Sequence, residues 1–486
     1  MHYRCIKCEA YYDFDETLER CGKCSAPILI EFDQESLRAV KQEIMHDSHD
    51  RKFWRYAEFS PIKNGSMAVT LGEGETHLHK AQRLSSETGV GTLLLKDETT
   101  NPTGSFIDRG SAVLVSRAKE LSANTLVCAT TGNVGASIAA YGAKAGLHCR
   151  LFTTRNVDVG KLYQMLAFGA IVDVCSDYEK AVQVASKTDG AGHFRVTPTN
   201  PFLLHGLKTC VYEICEQLGW RAPEYIAVPM GNGGFISMVW RALLDLQEVG
   251  LLSKVPTRLI GVQTSSRAPI VAGFRKILYS DTRSSSRGSL AFDIAVRKPL
   301  MAHAAIQAIR ASRGNAVDVS DTEILDATMK LARQEGIFAE PAAASTIAAL
   351  TKLIRYGHLD RDSEVVCVIT GAGLKDVSTA GRLVQGNIGN TLMSLIQPTH
   401  IVSKIGDTKI RILKILQARE SYGYEIWGAL AREMGRSIKI PTIYQHLSEM
   451  EKSGLIRETR KVRVRGKPGR RYFATTSAGE RLIQTL

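Results

Sequence analysis

Residues 96–110 read Lys-Asp-Glu-Thr-Thr-Asn-Pro-Thr-Gly-Ser-Phe-Ile-Asp-Arg-Gly, a polar turn near the start of a long regular block. From about residue 70 to 380, short β-branched runs alternate with longer helical patterns, and the runs at 125–130, 225–230 and 365–370 each lead into a Gly-rich turn. Strands that alternate with helices form parallel sheets covered on both faces, with ligands bound at the loops beyond the carboxyl ends of the strands. The block therefore predicts an α/β fold with a ligand site built from such loops.

The composition is that of a globular protein. The chain has 486 residues, of which 44% are hydrophobic and 23% charged, and it contains no apolar run of about 18 residues that would span a membrane. Residues 1–5 lack the apolar stretch of a signal peptide, so we expect a cytoplasmic protein with no membrane contact. A chain of this length is expected to form roughly two or three folded units.

Four of the ten cysteines lie within the first 24 residues. Cys5-x-x-Cys8 and Cys21-x-x-Cys24 form two knuckles whose thiolates can surround a zinc ion, and four such ligands leave no coordination position open for water. The spacing predicts a structural zinc site. Two disulfides or unligated core cysteines are the alternative, which a polar intracellular segment disfavours.

Six further polar or Gly-rich segments punctuate the central block. They are Leu71–Thr76, Thr131–Asn133, Gly160–Leu162, Gly231–Gly234, Glu340–Ala342 and Thr370–Gly373. Together with residues 96–110, and in the same order, they resemble the signature of threonine synthases, in the fold-type II family of pyridoxal-phosphate enzymes. The resemblance covers about residues 70 to 380 and implies the two-subdomain, parallel-sheet fold of that family.

The resemblance also implies a set of binding residues. The loop Gly231–Gly234 follows a strand, and glycines let backbone N–H groups approach an anion, so it is the expected cradle of the cofactor phosphate; a plain tight turn is the alternative. By the resemblance, Asn133 would face the phenolic oxygen of the cofactor, and Thr370 would hydrogen-bond its pyridine nitrogen; taken alone, each is more typical of turn chemistry. The expected cofactor-binding residues are Asn133, Gly231, Asn232, Gly233, Gly234 and Thr370, and the expected ligand-binding residues are Ser105, Thr131, Gly132 and Lys161.

Ile107 departs from the family in a way that changes the chemistry. It stands where the pattern Ser-Phe-Lys-Asp-Arg-Gly has the lysine that forms the Schiff base with the cofactor. Isoleucine has no amine, so it can neither hold the cofactor covalently nor shuttle protons, and we expect no catalytic residue here. Lys96 is close in sequence, but nothing in the sequence places its amine where the lost one stood.

A second departure lies at residues 200–203, Asn-Pro-Phe-Leu, where the family pattern leads us to expect an arginine for the substrate phosphate. Both losses argue against turnover of phosphohomoserine. Either the domain is a degenerate enzyme that senses a small molecule, or Ile107 is an altered residue in an otherwise competent enzyme. We favour the first interpretation, in which any pyridoxal phosphate is bound non-covalently, because one change does not explain Leu203.

The basic charge is concentrated at the carboxyl end. Residues 404–486 hold 18 basic and 8 acidic side chains, which predicts a polyanion-binding module, with a solvated basic face as the alternative. Apolar spacing predicts helices from Asp407, from Tyr422 and from about Pro441, followed by two strands around a basic turn. This order is that of a winged helix-turn-helix. The segments that resemble PadR-type transcription regulators are Tyr422–Ile426, Thr442–Tyr444, Leu455–Ile456 and Thr476–Gly479.

The third helix and the wing are the expected DNA contacts. The helix would present polar side chains to base edges while Ile443, Leu447 and Met450 face the core, and the wing holds eight basic residues from Arg457 to Arg471 against one acidic residue. The expected DNA-binding residues are Thr442, Tyr444, Gln445, His446, Arg463, Arg465, Lys467, Arg470 and Arg471. For any one of them alone, a solvated surface residue is the alternative. About ten residues follow the wing, too few for a long dimerisation helix, so we expect a homodimer formed through the central domain.

The chain is thus expected to contain five parts. They are a zinc-ribbon-like knuckle (1–35), a connecting segment (36–69), a threonine synthase-like domain (70–380), a linker (381–406) and a PadR-like winged helix (407–486). Our hypothesis is a transcriptional regulator that binds double-stranded DNA, carries structural zinc and senses an amino acid or a pyridoxal-phosphate-related ligand. The alternatives are an active pyridoxal-phosphate-dependent threonine synthase or lyase with an accessory DNA-binding domain, and a scaffold with an empty pocket.

Overall fold

A computed structural model describes residues 1–14, 18–33, 49–277, 289–384, 407–434, 439–464 and 467–484. The chain divides into two compact units, Met1–Leu383 and Val384–Leu486. Residues 34–35 of the expected knuckle, residues 36–48 of the expected connecting segment and residues 385–406 of the expected linker lie outside the described residues. Over the described ranges, no helix has the length and apolar character needed to cross a membrane.

The strands are named in chain order. They are β1 (His2–Cys5), β2 (Tyr11–Asp13), β3 (Ile28–Glu31), β4 (Leu78–Lys80), β5 (Thr92–Asp97), β6 (Thr125–Ala129), β7 (His148–Thr154), β8 (Ile171–Cys175), β9 (His193–Val196), β10 (Tyr225–Pro229), β11 (Arg258–Thr264), β12 (Asn315–Val319), β13 (Glu364–Ile369), β14 (Ser421–Tyr422), β15 (Ile456–Val464) and β16 (Lys467–Thr475).

The α-helices are named in the same way. They are α1 (Gln82–Thr88), α2 (Ile107–Glu120), α3 (Asn133–Ala145), α4 (Val159–Ala167), α5 (Tyr178–Lys187), α6 (Pro201–Gly206), α7 (Thr209–Gln217), α8 (Gly234–Glu248), α9 (Pro269–Phe274), α10 (Ala302–Ala311), α11 (Asp321–Glu335), α12 (Pro341–Arg355), α13 (Val377–Val384), α14 (Asp407–Ala418), α15 (Gly423–Met434), α16 (Ile440–Lys452) and α17 (Ser477–Gln484).

Two sheets form the body of the first unit. One has the order β12-β11-β10-β13-β5-β4 and is parallel except for β4, and the other has the order β8-β7-β6-β9 and is parallel throughout. The central strands are buried on both faces, as β10 and β13 illustrate, because helices cover both sides. The predicted α/β fold with two parallel-sheet subdomains is confirmed.

The residue 96–110 turn connects β5 to α2, so the stretch that begins the family resemblance is a strand–turn–helix element. Its charged side chains are buried: Arg109 donates to Glu98 at 2.6 Å and to Glu213 at 2.7 Å. Because each carboxylate and the guanidinium are paired, burial leaves no uncompensated charge in this network. The ion pairs tie the turn and α2 to α7.

The amino-terminal knuckle is a small antiparallel sheet in the order β2-β1-β3. It packs on the body of the same unit. Tyr3 and Ile28 belong to the same buried cluster as Val113 of α2, and the rings of Phe14 and Phe202 lie 6.0 Å apart. The knuckle therefore shares the hydrophobic core of the body.

The second unit has the three helices and the two-stranded wing predicted from the sequence, with a sheet in the order β14-β16-β15. The apolar faces of α14, α15 and α16 meet in one core, and Gly454 follows α16 with a positive φ of 71°. The expectation that a helix starts at Tyr422 was wrong by one residue. Ser421 and Tyr422 instead pair with Phe473 and Tyr472 as a third strand, and α15 begins at Gly423.

Candidate functional site

Ile107 is the first residue of α2 and belongs to the apolar core. It is 9% exposed and lies in one buried cluster with Phe202 and Leu203. The turn before it pairs with the turn after β13: Phe106 N–H donates to Thr370 O at 3.0 Å, and Ala372 N–H donates to Gly104 O at 2.9 Å. The structure thus places the expected residues Ser105 and Thr370 on adjoining backbone segments, with Ile107 next to them.

Lys96 does not replace the missing amine. It is buried, and its Nζ donates to Thr76 O at 2.7 Å, to the Glu213 carboxylate at 2.8 Å and to the Gln217 side chain at 2.9 Å. An ammonium group has three donors. All of them are committed to this network, so Lys96 has a structural role.

Leu203, where an arginine was expected, is also a core residue. It lies in α6 and is 2% exposed, and a Cβ at Gly110 of α2 would come within 2.5 Å of its carbonyl oxygen. Helices α2 and α6 therefore approach closely along this face, and Leu203 contributes packing and no charge. Asn200 begins α6, because its side chain accepts hydrogen bonds from Phe202 N–H and Leu203 N–H.

Lys161 of α4 is at the centre of a compact polar cluster. Its Nζ lies 2.8 Å from Asp293 Oδ2 and 2.9 Å from Glu340 Oε1, and Asn133 Nδ2 donates to the same two carboxylates at 3.3 and 2.9 Å. Burial alone would lower the pKa of Lys161, but Asp293 and Glu340 outweigh it and raise that pKa. Burial, aided by the neighbouring Asp293, raises the pKa of Glu340. We call these four residues the Lys161 cluster.

Two glycines allow the Lys161 cluster to form. A Cβ at Gly132 would lie 2.4 Å from Lys161 Cδ, and a Cβ at Gly371 would lie 2.0 Å from Glu340 Oε2. Any side chain at either position would displace these groups. The expected residue Thr131 precedes Gly132 and is half-buried. The structure therefore brings Gly132, Asn133 and Lys161 together, as expected, and adds Asp293, which no motif indicated.

The loop Gly231–Gly234 connects β10 to the amino terminus of α8. The backbone N–H groups of residues 231–234 donate to no acceptor in the part of the chain that the structure describes. Gly233 has a positive φ of 86°, which glycine adopts without strain, and Asn232 O accepts from Met301 N–H at 3.0 Å. Free N–H groups at the start of a helix of this length favour an anion such as a phosphate.

Lys375 is a second lysine near these turns that sequence reasoning missed. Its Nζ donates to Thr103 O at 2.6 Å and to Gln164 Oε1 at 2.7 Å, and no carboxylate of the described residues lies within ion-pair distance. Burial lowers its pKa, against the opposing fields of Glu340 and Asp108. The feature that marks Lys375 is its pair of neutral hydrogen-bond partners, which no sequence pattern records.

The four amino-terminal cysteines converge. All their Sγ atoms lie within 4.8 Å of one another, with Cys5–Cys24 at 3.4 Å and Cys8–Cys21 at 3.5 Å. These separations exceed a disulfide bond of about 2.05 Å and are close to the ~3.8 Å edge of a tetrahedron of thiolates around zinc. Tyr12 OH, 3.0 Å from Cys21 Sγ, lowers the pKa of that thiol to about 6. The cluster can hold a zinc ion.

In the second unit, α16 has the two faces that the sequence predicts. Ile443, Leu447 and Met450 are buried, whereas Tyr444 and Gln445 are exposed and Thr442 and His446 are half-buried. Glu449 lies on the outer side of the same helix. It accepts from Gln445 Nε2 at 3.0 Å and forms an ion pair with Lys409 at 2.7 Å.

The wing residues are only partly visible. Arg463 and Lys467 lie in β15 and β16 without described side chains, and Arg465 lies outside the described residues. The Arg470 guanidinium stacks on the Tyr422 ring at 4.6 Å.

Arg471 is paired within the protein. It forms ion pairs with Glu451, at 2.9 Å, and with Glu458. Arg471 is therefore balanced by two carboxylates of its own unit, whereas the exposed Lys461 forms no ion pair in the described ranges.

Comparison with known proteins assigns both parts of the chain. Residues 69–371 match the pyridoxal-phosphate dependent enzyme family. The chain belongs to that family. Residues 412–485 match the transcriptional regulator PadR-like family, so this pyridoxal-phosphate family member carries a PadR-like carboxyl-terminal domain.

Curated relatives narrow the family resemblance. The chain is 39% identical over 385 residues to threonine synthase of Methanocaldococcus jannaschii, covering 79% of this chain and 95% of the relative. It is 36% identical over 355 residues to threonine synthase of Mycobacterium tuberculosis, covering 72% and 94%. The threonine synthase-like and PadR-like resemblances drawn from the motifs are therefore confirmed.

Solved structures bear on the fold. Tomato threonine deaminase isoform 2 in its processed form matches with a TM-score of 0.54 at 18% identity, covering 74% of this chain and 96% of that one. Maize serine racemase matches with a TM-score of 0.54 at 16% identity, covering 73% and 98%. At such identities these neighbours support the pyridoxal-phosphate-enzyme fold alone.

Pyridoxal phosphate fits the site in part. The free N–H groups of the Gly231–Gly234 loop suit its phosphate, and the Thr370 hydroxyl, on a residue 5% exposed, has no hydrogen-bond partner among the described residues and suits a ring nitrogen. Ile107 offers no amine for covalent attachment. The residues present therefore fit the family cofactor by its phosphate and ring and do not fit the covalent bond at position 107.

Proposed function

We propose that the protein is a DNA-binding transcriptional regulator whose threonine synthase-like domain binds an amino acid or a pyridoxal-phosphate-related ligand without catalysis. The observation that carries this proposal is the apolar, core-packed Ile107 at the Schiff-base position of a chain that also has a PadR-like domain. Lys96, the nearest lysine in sequence, is held by three acceptors, which supports the loss of the covalent anchor.

The proposal keeps the parts expected from the sequence. The knuckle over residues 1–35 holds structural zinc, residues 70–380 bind the ligand without a covalent bond, and residues 407–486 contact double-stranded DNA. Two copies pair through the central domain in the cytoplasm, which brings two winged helices to one operator. A ligand alters DNA affinity only if it binds more tightly to one arrangement of the dimer than to the other.

DNA contact in this proposal comes from the outer face of α16 and from the wing. Tyr444 and Gln445 are exposed and Thr442 and His446 are half-buried, whereas the apolar positions of the helix are buried. Polar side chains on such a face suit base edges in the major groove. The paired Arg471 would position the wing, and wing cations without an ion pair in the described residues, such as Lys461, would contact phosphates.

Fluorescence anisotropy tests the proposal. Full-length protein is titrated onto labelled DNA from its own promoter region at fixed salt, alone and with pyridoxal phosphate or each common amino acid. We expect one ligand to change the DNA affinity without being turned over. Turnover with unchanged DNA affinity, or no response to any ligand, would overturn the sensor function.

A matched pair of variants locates the response. Thr370→Val removes the unpartnered hydroxyl with little change of shape, and Thr322→Val makes the same change at an exposed position of α11. If pyridoxal phosphate is the effector, its apparent affinity falls in Thr370→Val and is unchanged in Thr322→Val.

Lys375 favours a second candidate function, an active pyridoxal-phosphate-dependent threonine synthase or lyase with an accessory DNA-binding domain. This candidate needs an amine, and Lys375 combines burial, neutral hydrogen-bond partners and a lowered pKa near the Thr103–Ile107 turn. Borohydride treatment of protein incubated with pyridoxal phosphate, followed by peptide mapping, tests it. Label on Lys375 that is lost in Lys375→Met supports the enzyme, and no label supports the non-covalent sensor.

A further inference from the structure

Asp293 is fixed in the ligand site by the backbone around it. Ala291 and Ile294, two and one positions away, are 1% and 2% exposed and belong to a buried core cluster. A Cβ at Gly231 would lie 2.5 Å from Asp293 O, so the segment also lies against the phosphate-cradle loop. The packing of these neighbours therefore fixes the backbone position of Asp293 in the site.

This carboxylate changes what Lys161 can do. The Lys161 ammonium already contacts Asp293 Oδ2 and Glu340 Oε1, at 2.8 and 2.9 Å. A phosphate or carboxylate of a ligand could use only the third N–H donor of this ammonium and would meet the negative charge of both carboxylates. Lys161, one of the expected ligand-binding residues, is therefore neutralised within the protein, and these contacts do not favour a ligand anion beside it.

The same cluster retains unused hydrogen-bond acceptors. Asp293 Oδ1 accepts no hydrogen bond among the described residues, and the Asp293 side chain is 26% exposed, so this oxygen can be reached. Asn133 Oδ1 is buried and has no partner. A buried acceptor without a partner is costly unless a ligand or water supplies a donor. Asp293 Oδ1 and Asn133 Oδ1 therefore call for donors from a ligand or water, whereas the unpartnered Thr370 hydroxyl can either donate or accept.

The net charge of the groups around these turns also favours a ligand that carries a positive charge. Around the turns lie two lysines, Lys161 and Lys375, and three carboxylates, Asp293, Glu340 and Asp108, which interact with one another electrostatically. One positive charge would balance the five groups when all are ionised. A primary ammonium group supplies that charge and three N–H donors.

We propose that Asp293, with Asn133 and Glu340, binds the ammonium group of a free amino acid that carries no phosphate ester. This inference rests on the proposed function, since it names the ligand class of the sensor site. In this proposal Asp293 is the residue that makes the site selective for an amine.

Isothermal titration of the full chain tests the ligand class without DNA. Each of the twenty common L-amino acids is titrated, and each one that binds is compared with the 2-hydroxy acid of the same side chain, which lacks the amine. L-serine is also compared with O-phospho-L-serine. We expect at least one amino acid to bind and its hydroxy acid to bind roughly tenfold to a hundredfold more weakly, the loss of a hydrogen-bonded charge. Failure of every amino acid to bind, equal binding of the hydroxy acid, or tighter binding of O-phospho-L-serine than of L-serine would overturn the proposal.

Asp293→Asn tests the residue itself. This isosteric variant should lose amino-acid affinity by a similar factor and gain binding of inorganic phosphate, because Lys161 loses one of its two carboxylates. Asp189→Asn is the matched control: its side chain is 77% exposed and pairs with Arg195, and its removal takes away the same charge. A thermal melt confirms that each variant is folded. If Asp293→Asn does not fold, the comparison of amino acids with their hydroxy acids on the unaltered protein still decides the ligand class. Amino-acid binding that depends on Asp293 but leaves DNA affinity unchanged would refute the proposed regulatory function and would still support the proposed amino-acid site.

Discussion

The phenol ring of Tyr444 lies directly against Gly423, where a Cβ would come within 2.6 Å of Tyr444 Cζ. Gly423 begins α15 and Tyr444 is on α16, so the contact joins the two helices of the helix-turn-helix. The segments 422–424 and 442–444, both part of the PadR resemblance, are therefore in contact with each other. The glycine is needed because the ring occupies the space of a side chain.

Substituting Gly423 should disturb this contact. In Gly423→Ala, the new methyl group pushes the Tyr444 ring outward, at a cost of about 1 kcal/mol in local stability. Hydrogen exchange of the α15 and α16 amides in the full chain measures the loss, and DNA affinity should fall with it. Gly428→Ala, in the same helix with nothing within 4 Å of the new Cβ, should instead gain about 0.5 to 1 kcal/mol. Equal effects of the two changes would contradict the contact.

The wing should contain cations of two kinds. Lys461 is exposed and unpaired in the described part of the unit, whereas Arg471 is balanced by Glu451 and Glu458. If Lys461 contacts a phosphate, Lys461→Ala should reduce the slope of log binding constant against log salt by about 0.9. Arg471→Ala should leave that slope nearly unchanged while destabilising the wing. If Arg471→Ala reduced the salt dependence of DNA binding and Lys461→Ala did not, Arg471 and not Lys461 would be the phosphate contact.

Local patterns predicted the second unit well. The spacing of Ile443, Leu447 and Met450 identified the buried face of α16, because three- and four-residue steps place side chains on one side of a helix. The Arg471 ion pairs were not predictable in this way. These ion pairs join Arg471 of β16 to Glu451 of α16 and Glu458 of β15. The sequence alone does not reveal which of the eight basic residues of the wing form ion pairs.

The ligand site shows the same limit more strongly. Motifs at the ends of strands made its glycine turns and Asn133 candidates, because ligands bind at such turns in parallel sheets. Asp293 was missed: it lies 132 positions from Lys161 and 160 from Asn133, in a segment without a motif. The roles of Lys96 and Lys375 were equally hidden, since both are set by which side chains surround the amine after folding.

Restoring the lysine separates cofactor attachment from turnover. Ile107→Lys should acquire pyridoxal phosphate covalently at position 107, detected as a mass increase on that peptide after borohydride reduction. It should not turn over O-phospho-L-homoserine, because Lys161 remains paired with Asp293 and Glu340 and Leu203 offers no charge. Ile107→Met, which has no amine, is the control and should not be labelled there. Turnover by Ile107→Lys would mean that the substrate site is intact.

Removal of the zinc ligands should uncouple the knuckle. Cys21→Ser should reduce bound zinc from about one ion per chain to near zero, since the remaining three thiolates no longer close the tetrahedron. The melting temperature should fall, because the knuckle contacts the body through Arg241–Glu31 and His303–Ile6. Atomic emission and calorimetry measure both effects. Cys175→Ser changes a half-buried cysteine outside the cluster and should keep its zinc; unchanged zinc in Cys21→Ser would refute the site.

Asp108 should make stability depend on pH. Burial raises its pKa to about 6 from an ordinary value of 3.8, although Ser137 and Thr103 donate hydrogen bonds to it. Between pH 3.8 and about pH 6 the folded protein therefore binds more protons than the unfolded chain. The contribution of Asp108 to the free energy of unfolding, roughly 3 kcal/mol, is fully present below about pH 4 and is lost as the pH rises through about 6. Asp108→Asn has no such titration. The melting temperature of the unaltered protein, measured relative to that of Asp108→Asn by calorimetry, should fall from pH 5 to pH 7.5, and a difference that stays constant or rises would show that Asp108 is ionised throughout.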